Sequence, residues 1–281
     1  MTSSPVTAGP GTQQRPGARP AREPSRAAVR APARAVDLQI AGLVPLSTVD
    51  WPGRLAATVF CQGCPWRCTY CHNTAILDTT VPGAVPFSDL EALLAKRAGL
   101  LDAVVFSGGE ATSQHALVPA ARAVREAGYA VGLHTGGAYP TRLRELLGVD
   151  LDGVRHAPSL VDWVGFDVKA VPAGYEALVG RGRAWVKASQ SLRMLLAAGI
   201  DHELRMTLTP ALLDQVPAVI ELLAELGGRA LVLQRARPDG AETAFAEQLR
   251  ALRGWEARFT ETAAEAAQHG ERLGVRVTSR G

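Results

Sequence analysis

Outside one eleven-residue stretch this sequence contains no cysteine: Cys61, Cys64, Cys68 and Cys71 are the only four. A disulfide framework spread over the chain is thereby excluded, and whatever the thiols hold is held by one loop. Aromatic residues are scarce, at 5% of the chain, so its 47% apolar content rests on Ala, Leu and Val. That is still enough for a substantial core in 281 residues, the size of one large α/β domain. No apolar run approaches the roughly 18 residues a membrane helix requires. The amino-terminal region also lacks the apolar segment of a secretory signal. A soluble, cytoplasmic protein is expected, and reducing cytosol leaves clustered thiols free for metal or redox chemistry.

Acidic residues are nearly absent from residues 1–36, where Arg15, Arg19, Arg22, Arg26, Arg30 and Arg34 face only Glu23. This segment carries +5, so of the chain's net +3 the remainder holds −2. A mildly acidic body argues against a nucleic-acid-binding surface on the domain. The tail is rich in Pro, Ala, Ser and Gly and has almost nothing large and apolar to bury. It is expected to be disordered, with the folded domain spanning 37–281.

From Val36 onward, short apolar runs alternate with turn residues. Strands are predicted at Asp37–Leu43, Leu55–Phe60, Ala103–Ser107, Ala130–His134, Val161–Val168, His202–Leu208 and Ala230–Gln234, with an edge strand at Val275–Val277. Helices are predicted from a capping box at Ser88–Glu91 to Ala98, then over Leu117–Ala127, Thr141–Leu147, Trp185–Ala198, Leu212–Leu226 and Ala241–His269. Strands alternating with helices imply βαβ units and a parallel sheet. Six units follow from Leu55, too few for an eight-fold barrel, and no dinucleotide-type glycine fingerprint follows the first strand. Cys61–Cys71, Ser107–Glu110, His134–Gly137, Asp167–Lys169, Arg205–Thr207 and Gln234–Arg235 all fall at C-terminal strand ends. In parallel α/β architectures that edge is where ligands bind.

Two metal readings of the thiols remain. Cys61-x2-Cys64 with Cys68-x2-Cys71 supplies four ligands for zinc, although only three residues separate the pairs. An iron–sulfur cluster accepts such tight spacing, and Cys64-x3-Cys68-x2-Cys71 can hold three corners of a cubane with one iron left open. Cys61 then reads as a small buried thiol.

Cys64-Pro-Trp-Arg-Cys68-Thr-Tyr-Cys71 resembles the CxxxCxΦC signature of radical S-adenosylmethionine (SAM) enzymes, with Tyr70 at the aromatic position. The stretches Gly42–Gly53, Val59–Cys64, Tyr70–Asn73 and Phe106–Gln114 are similar to glycyl-radical-enzyme activases, in particular the activating proteins of anaerobic ribonucleoside-triphosphate reductase. The resemblance implies a partial (β/α)6 TIM-like barrel, a [4Fe–4S] cluster on Cys64, Cys68 and Cys71, and SAM chelated by the open iron. It implies that Gly108, Gly109 and Glu110 receive the SAM amino group, with the glycines letting backbone approach the ligand. Tyr70 would lie against the adenine, Lys169 would pair with the SAM carboxylate beside Asp167, and Arg205 would stand near the cofactor. Glu110 as a helix cap, Asp167 and Lys169 as a solvated pair, and Arg205 as a structural ion-pair residue are the plainer alternatives.

Where these activases carry Asp-Thr-Asn-Gly, this chain has His134-Thr-Gly-Gly137. The implied activity is an oxidoreductase reaction: SAM is cleaved reductively, and the 5′-deoxyadenosyl radical takes a hydrogen from a glycine of a partner enzyme. The electron would come from a flavodoxin- or ferredoxin-type donor. Two other functions stay open, a radical SAM reaction on a small molecule of the 7-carboxy-7-deazaguanine-synthase kind and a non-catalytic zinc- or cluster-binding protein.

Overall fold

The computed structural model describes residues 1–2 and 31–281. Residues 3–30, most of the tail expected to be disordered, lie outside the described residues. Ala33–Gly281 forms one compact unit. Its centre is an eight-stranded sheet with the strands in sequence order. The strands are β1 (Ile40–Ser47), β2 (Ala56–Cys61), β3 (Ala103–Gly108), β4 (Ala130–Thr135), β5 (Trp163–Asp167), β6 (Asp201–Leu208), β7 (Ala230–Arg235) and β8 (Arg276–Arg280). Only β1 runs antiparallel to its neighbour; β2 to β8 are parallel. The six predicted βα units are therefore β2–β7, flanked by an antiparallel strand on one edge and β8 on the other.

The helices are α1 (Phe87–Lys96), α2 (Leu117–Glu126), α3 (Pro140–Leu147), α4 (Pro172–Val179), α5 (Ala184–Ala198), α6 (Val216–Leu226), α7 (Thr243–Ala251) and α8 (Trp255–Leu273). Several expectations change: the strand expected over Asp37–Leu43 runs over Ile40–Ser47 behind a 3-10 turn at Ala35–Asp37, and the helix expected from Leu212 begins as a 3-10 turn, Pro210–Gln215. The capping box at Ser88 does not form, because α1 starts a residue earlier behind Pro86 and Ser88 lies within its first turn. The single helix expected over 241–269 is two, broken before Gly254, whose φ of 76° no helix accommodates. Helix α4 is unforeseen. Its start at Pro172 and its stop at left-handed Gly180 are both ordinary signals, but its eight residues carry little apolar periodicity.

Side chains alternate across each strand. One parity of β2–β5 (Ala57, Val59 and Cys61; Val104 and Phe106; Val131 and Leu133; Val164 and Phe166) joins the helices in the main core. Each such fully buried large residue contributes about 1.5–3 kcal/mol. The other parity buries Ala56, Ala103, Val105 and Trp163 around Trp51, which the turn after β1 inserts against Trp163 at 5.4 Å between ring centroids. Further along the same parity the strands switch to Ser107, His134, Asp167, Arg205 and Thr207. Thus Trp51 and Trp163 close the apolar end, and the polar groups gather at the C-terminal strand ends.

Candidate active site

A cavity of about 180 Å³ opens at those strand ends. Cys64, Cys68, Cys71, Tyr70, Gly108, Gly109, Glu110, Asp167, Lys169 and Arg205 all line it, so the structure brings every predicted site residue to one place. Cys61 is absent from the lining and has no exposed surface. The reason is parity: Cys61 follows Ala57 and Val59 on the helix-facing side of β2. Cys61→Ala is expected to cost about 1 kcal/mol of packing and to leave iron content per chain unchanged. Loss of iron in that variant would make Cys61 a ligand.

The cysteine loop is held by backbone and by residues outside the signature. Gly63 and Cys64 N–H donate to the Ile76 and Leu77 carbonyls at 2.8 and 3.0 Å, and Arg67 N–H to Val179 at 2.8 Å. The Arg67 guanidinium donates to the carbonyls of Cys64 and Trp66, both at 3.0 Å. Asn73 Nδ2 donates to the Gly108 carbonyl at 3.0 Å, fastening the loop to the end of β3. Burial first, and the Glu110 carboxylate second, push the Cys64 thiol up to about 12. Burial raises Cys68 as well, against the pull of the Lys169 cation. Such thiols are poor nucleophiles at neutral pH and become thiolates by binding a metal. The thiols therefore do not suit thiol catalysis, and three of them lining one cavity suit an iron–sulfur cluster.

Gly108 and Gly109 also serve a contact with the cysteine loop. Gly108 has φ +110°, and a side chain there would strike the Cys61 backbone. One at Gly109 would strike the Gly63 carbonyl. Their missing side chains let β3 close onto the cysteine loop, with Gly109 and Glu110 N–H donating to the Cys61 and Gly63 carbonyls at 3.0 and 2.9 Å. Glu110 is 3% exposed. Its Oε1 accepts from Thr112 N–H at 3.1 Å and from the Thr112 and Thr135 hydroxyls, and its Oε2 accepts from Gly136 N–H at 3.0 Å. The capping alternative is thus real, on a 3-10 turn, yet the carboxylate also locks β3 to the end of β4. Burial pushes its carboxyl up, and these donors oppose the shift.

Asp167 sits between two cations. Its Oδ1 accepts from Arg205 Nε at 2.9 Å and its Oδ2 from Lys169 Nζ at 3.3 Å. Lys169, with 12% of its side chain exposed, stands 5.9 Å from the Trp66 ring and 5.8 Å from the Tyr70 ring. It is no solvated pair: the aromatic faces and Asp167 hold its charge inside. Burial raises the Asp167 carboxyl, but Arg205 and Lys169 outweigh it and hold it down at about 2. That stabilisation is complete above about pH 4, near the unfolded value, and is lost as pH falls through about 2. In urea titrations the deficit of Asp167→Asn is expected to be constant between about pH 5 and about pH 8 and to shrink in stronger acid. A deficit that grows on acidification would contradict the charge network.

The two departures at the end of β4 have physical counterparts. His134 Nε2 meets the Asp50 carbonyl at 2.7 Å and therefore carries the proton, leaving Nδ1 to accept from the Ser107 hydroxyl at 3.2 Å. Burial, then Arg205, lowers this imidazole to about 3, so it is neutral at physiological pH. Gly136 leaves room for the Trp66 ring, which a side chain there would strike. Trp66, Arg67, Asn73, Thr112 and Thr135 are the site residues the sequence reading passed over. Trp66, Arg67, Asn73 and Thr112 lie inside the quoted motif stretches, where their proximity to the thiols and to Glu110 was the available signal.

The family model described as the Radical SAM superfamily matches residues 58–227. The chain belongs to this superfamily. A radical SAM chain holds a [4Fe–4S] cluster and SAM. Curated relatives have names that bear on activity. One from Methanocaldococcus jannaschii, provisionally named a glycyl-radical enzyme activating enzyme, is 35% identical over 46% of this chain and 50% of its own length. The pyruvate formate-lyase-activating enzyme of Clostridium pasteurianum is 27% identical over 63% of this chain and 71% of its own. The chain spans about half the length of the first of these. Among solved structures, Streptococcus suis SuiB bound to its precursor peptide SuiA superposes with a TM-score of 0.58 at 14% identity, covering 78% of this chain and 47% of SuiB. The enzyme anSMEcpe with bound AdoMet gives 0.53 at 14% identity over 78% of this chain and 59% of its own. Both are similar in radical SAM fold. No helix among the described residues is long and apolar enough to cross a membrane.

Proposed function

We propose that this chain is a glycyl-radical-enzyme activase whose partner is the anaerobic ribonucleotide reductase. The observation that carries the reading is the convergence of Cys64, Cys68 and Cys71 with Glu110, Lys169 and Asp167 on one cavity, while Cys61 stays apart. The curated relatives named for activation of glycyl-radical enzymes and of pyruvate formate-lyase support the activase part of it. Cys64, Cys68 and Cys71 would hold the cluster by three irons. When bound, the cluster and SAM supply a 5′-deoxyadenosyl radical after one electron arrives from a flavodoxin- or ferredoxin-type donor.

The chain's own part is placement. Glu110 Oε2 has one donor and keeps capacity to accept from the SAM ammonium group. Lys169 Nζ has one acceptor and keeps donors for the SAM carboxylate. Tyr70 offers a buried ring for the adenine, and Arg205 and Asp167 hold Lys169 in place by a shared carboxylate. Neutral His134 presents no competing charge to the ligand. The reducing cytoplasm suits both the cluster and the donor.

The test is anaerobic mixing of the cluster-loaded protein, SAM, reductant and the reductase. A glycyl radical signal by electron paramagnetic resonance, with deoxyadenosine formed in step, is expected. Deoxyadenosine without that signal would remove the partner assignment and favour a small-molecule substrate.

A further inference from the structure

A second cavity, of about 450 Å³, adjoins the first, and His72, His134, Arg205 and Thr207 border both. It lies between the turn after β1, represented by Val49 and Asp50, and the ends of β7 and β8. No hydrogen bonds join β1 to β8, so this is the gap between the two edges of the sheet. The gap offers the cysteine-lined cavity a sideways entrance.

Arginines are frequent on its wall. Arg205, Arg235, Arg237 and Arg280 line it, and Asp50 is the acidic side chain among the lining residues. Asp50 is already engaged, its Oδ2 accepting from the Thr58 hydroxyl at 2.7 Å. Three of the arginines are engaged too: Arg205 with Asp167, Arg235 with Glu256 and Arg280 with Glu203. Gly281 packs beside Arg235. Arg237 is exposed and forms no ion pair among the described residues. His72 also borders the space, and its Nε2 is buried with no hydrogen-bond partner among the described residues. With those pairs and Asp50 counted the wall has no net positive excess, and the uncommitted Arg237 guanidinium is the cation it leaves to attract an anion. A guanidinium also presents paired donors that match a carboxylate or phosphate.

We propose that this side cavity is an anion subsite that binds a carboxylate or phosphate on the substrate, with Arg237 as its principal anchor. On the activase reading, on which this naming of the substrate rests, the group is an acidic or phosphorylated residue near the target glycine of a peptide segment. The segment enters between the sheet edges, and its anion docks on Arg237 while the glycine reaches the cysteine-lined cavity.

Fluorescence anisotropy on the cluster-loaded, SAM-bound protein tests this with labelled peptides of one central glycine. The flanking residue is Glu, phosphoserine, Gln or Lys. The Glu or phosphoserine peptide is expected to bind about tenfold or more tighter than the Gln peptide, as a charge-assisted bond provides. Added salt should shrink that gap, and Arg237→Gln should reduce it to about twofold or less. A preference for phosphoserine alone would assign the group as phosphate, and for Glu as carboxylate. Equal binding of the Glu, Gln and Lys peptides, no measurable binding of either anionic peptide, or a full preference retained by Arg237→Gln would overturn the subsite. The glycyl radical signal formed on the reductase by the same wild-type protein reads the other proposal separately. That signal without charge preference overturns the subsite alone; an Arg237-dependent preference without that signal overturns the activase reading alone.

Discussion

Single replacement of Cys64, Cys68 or Cys71 by serine is expected to reduce deoxyadenosine formation by more than about 100-fold. Changes to residues that merely support a metal ligand lose about 10–100-fold, and loss of a ligand should exceed that. The thiols cannot substitute for one another. Each enters the cavity from a different position of one loop, and Cys61 faces the opposite side of β2. Cys64 is additionally oriented by Trp66 N–H, which points at its sulfur at 3.4 Å. Iron and sulfide content after anaerobic reconstitution, read beside deoxyadenosine formation, checks the assignment. Wild-type rates in any one of the three variants would remove that cysteine from the ligand set. Because Cys61→Ala is expected to keep its iron, the four single variants together separate a three-cysteine cluster from a four-cysteine zinc site.

Glu110→Gln is expected to destabilise the protein by about 3 kcal/mol, a fall in Tm of about 10 °C, and to weaken SAM binding at least about tenfold. Every recorded partner of this carboxylate is a donor: two backbone N–H groups and two threonine hydroxyls. An amide of the same shape keeps one oxygen and turns an NH2 group toward a donor, leaving buried polar groups unpaired. The stability loss reads the tie between β3 and the end of β4, and SAM affinity by calorimetry reads the carboxylate's place in the site. A variant within about 0.5 kcal/mol of wild type would show that the threonines find other partners. Unchanged SAM affinity in a destabilised variant would leave Glu110 as a cap and a tie between β3 and β4, with no part in SAM binding.

Much of this was legible in the chain itself. Six βα units, a strand before them and an edge strand after them follow from short continuous apolar runs between turn residues, because a parallel sheet must bury both faces; that the first strand is antiparallel came from the structure. The sorting of Cys61 from the other thiols was also open to reading, since strand parity alone puts it with Ala57 and Val59. Helix α4 and the break before Gly254 were less accessible. One is too short to show a period, and the other depends on a backbone angle that composition does not state.

By itself the sequence determined the thiol spacing, the alternation of strands with helices and the presence of Glu110, Asp167, Lys169 and Arg205 at strand ends, all of which are local properties of the chain. Only the tertiary structure decided what those groups do to one another. It set Lys169 between Trp66 and Tyr70, gave Asp167 two cations, turned Gly108 and Gly109 toward the cysteine loop, and left Arg237 facing an open gap. Those relations join residues far apart in the chain, and charge, burial and close approach act through space rather than along the backbone.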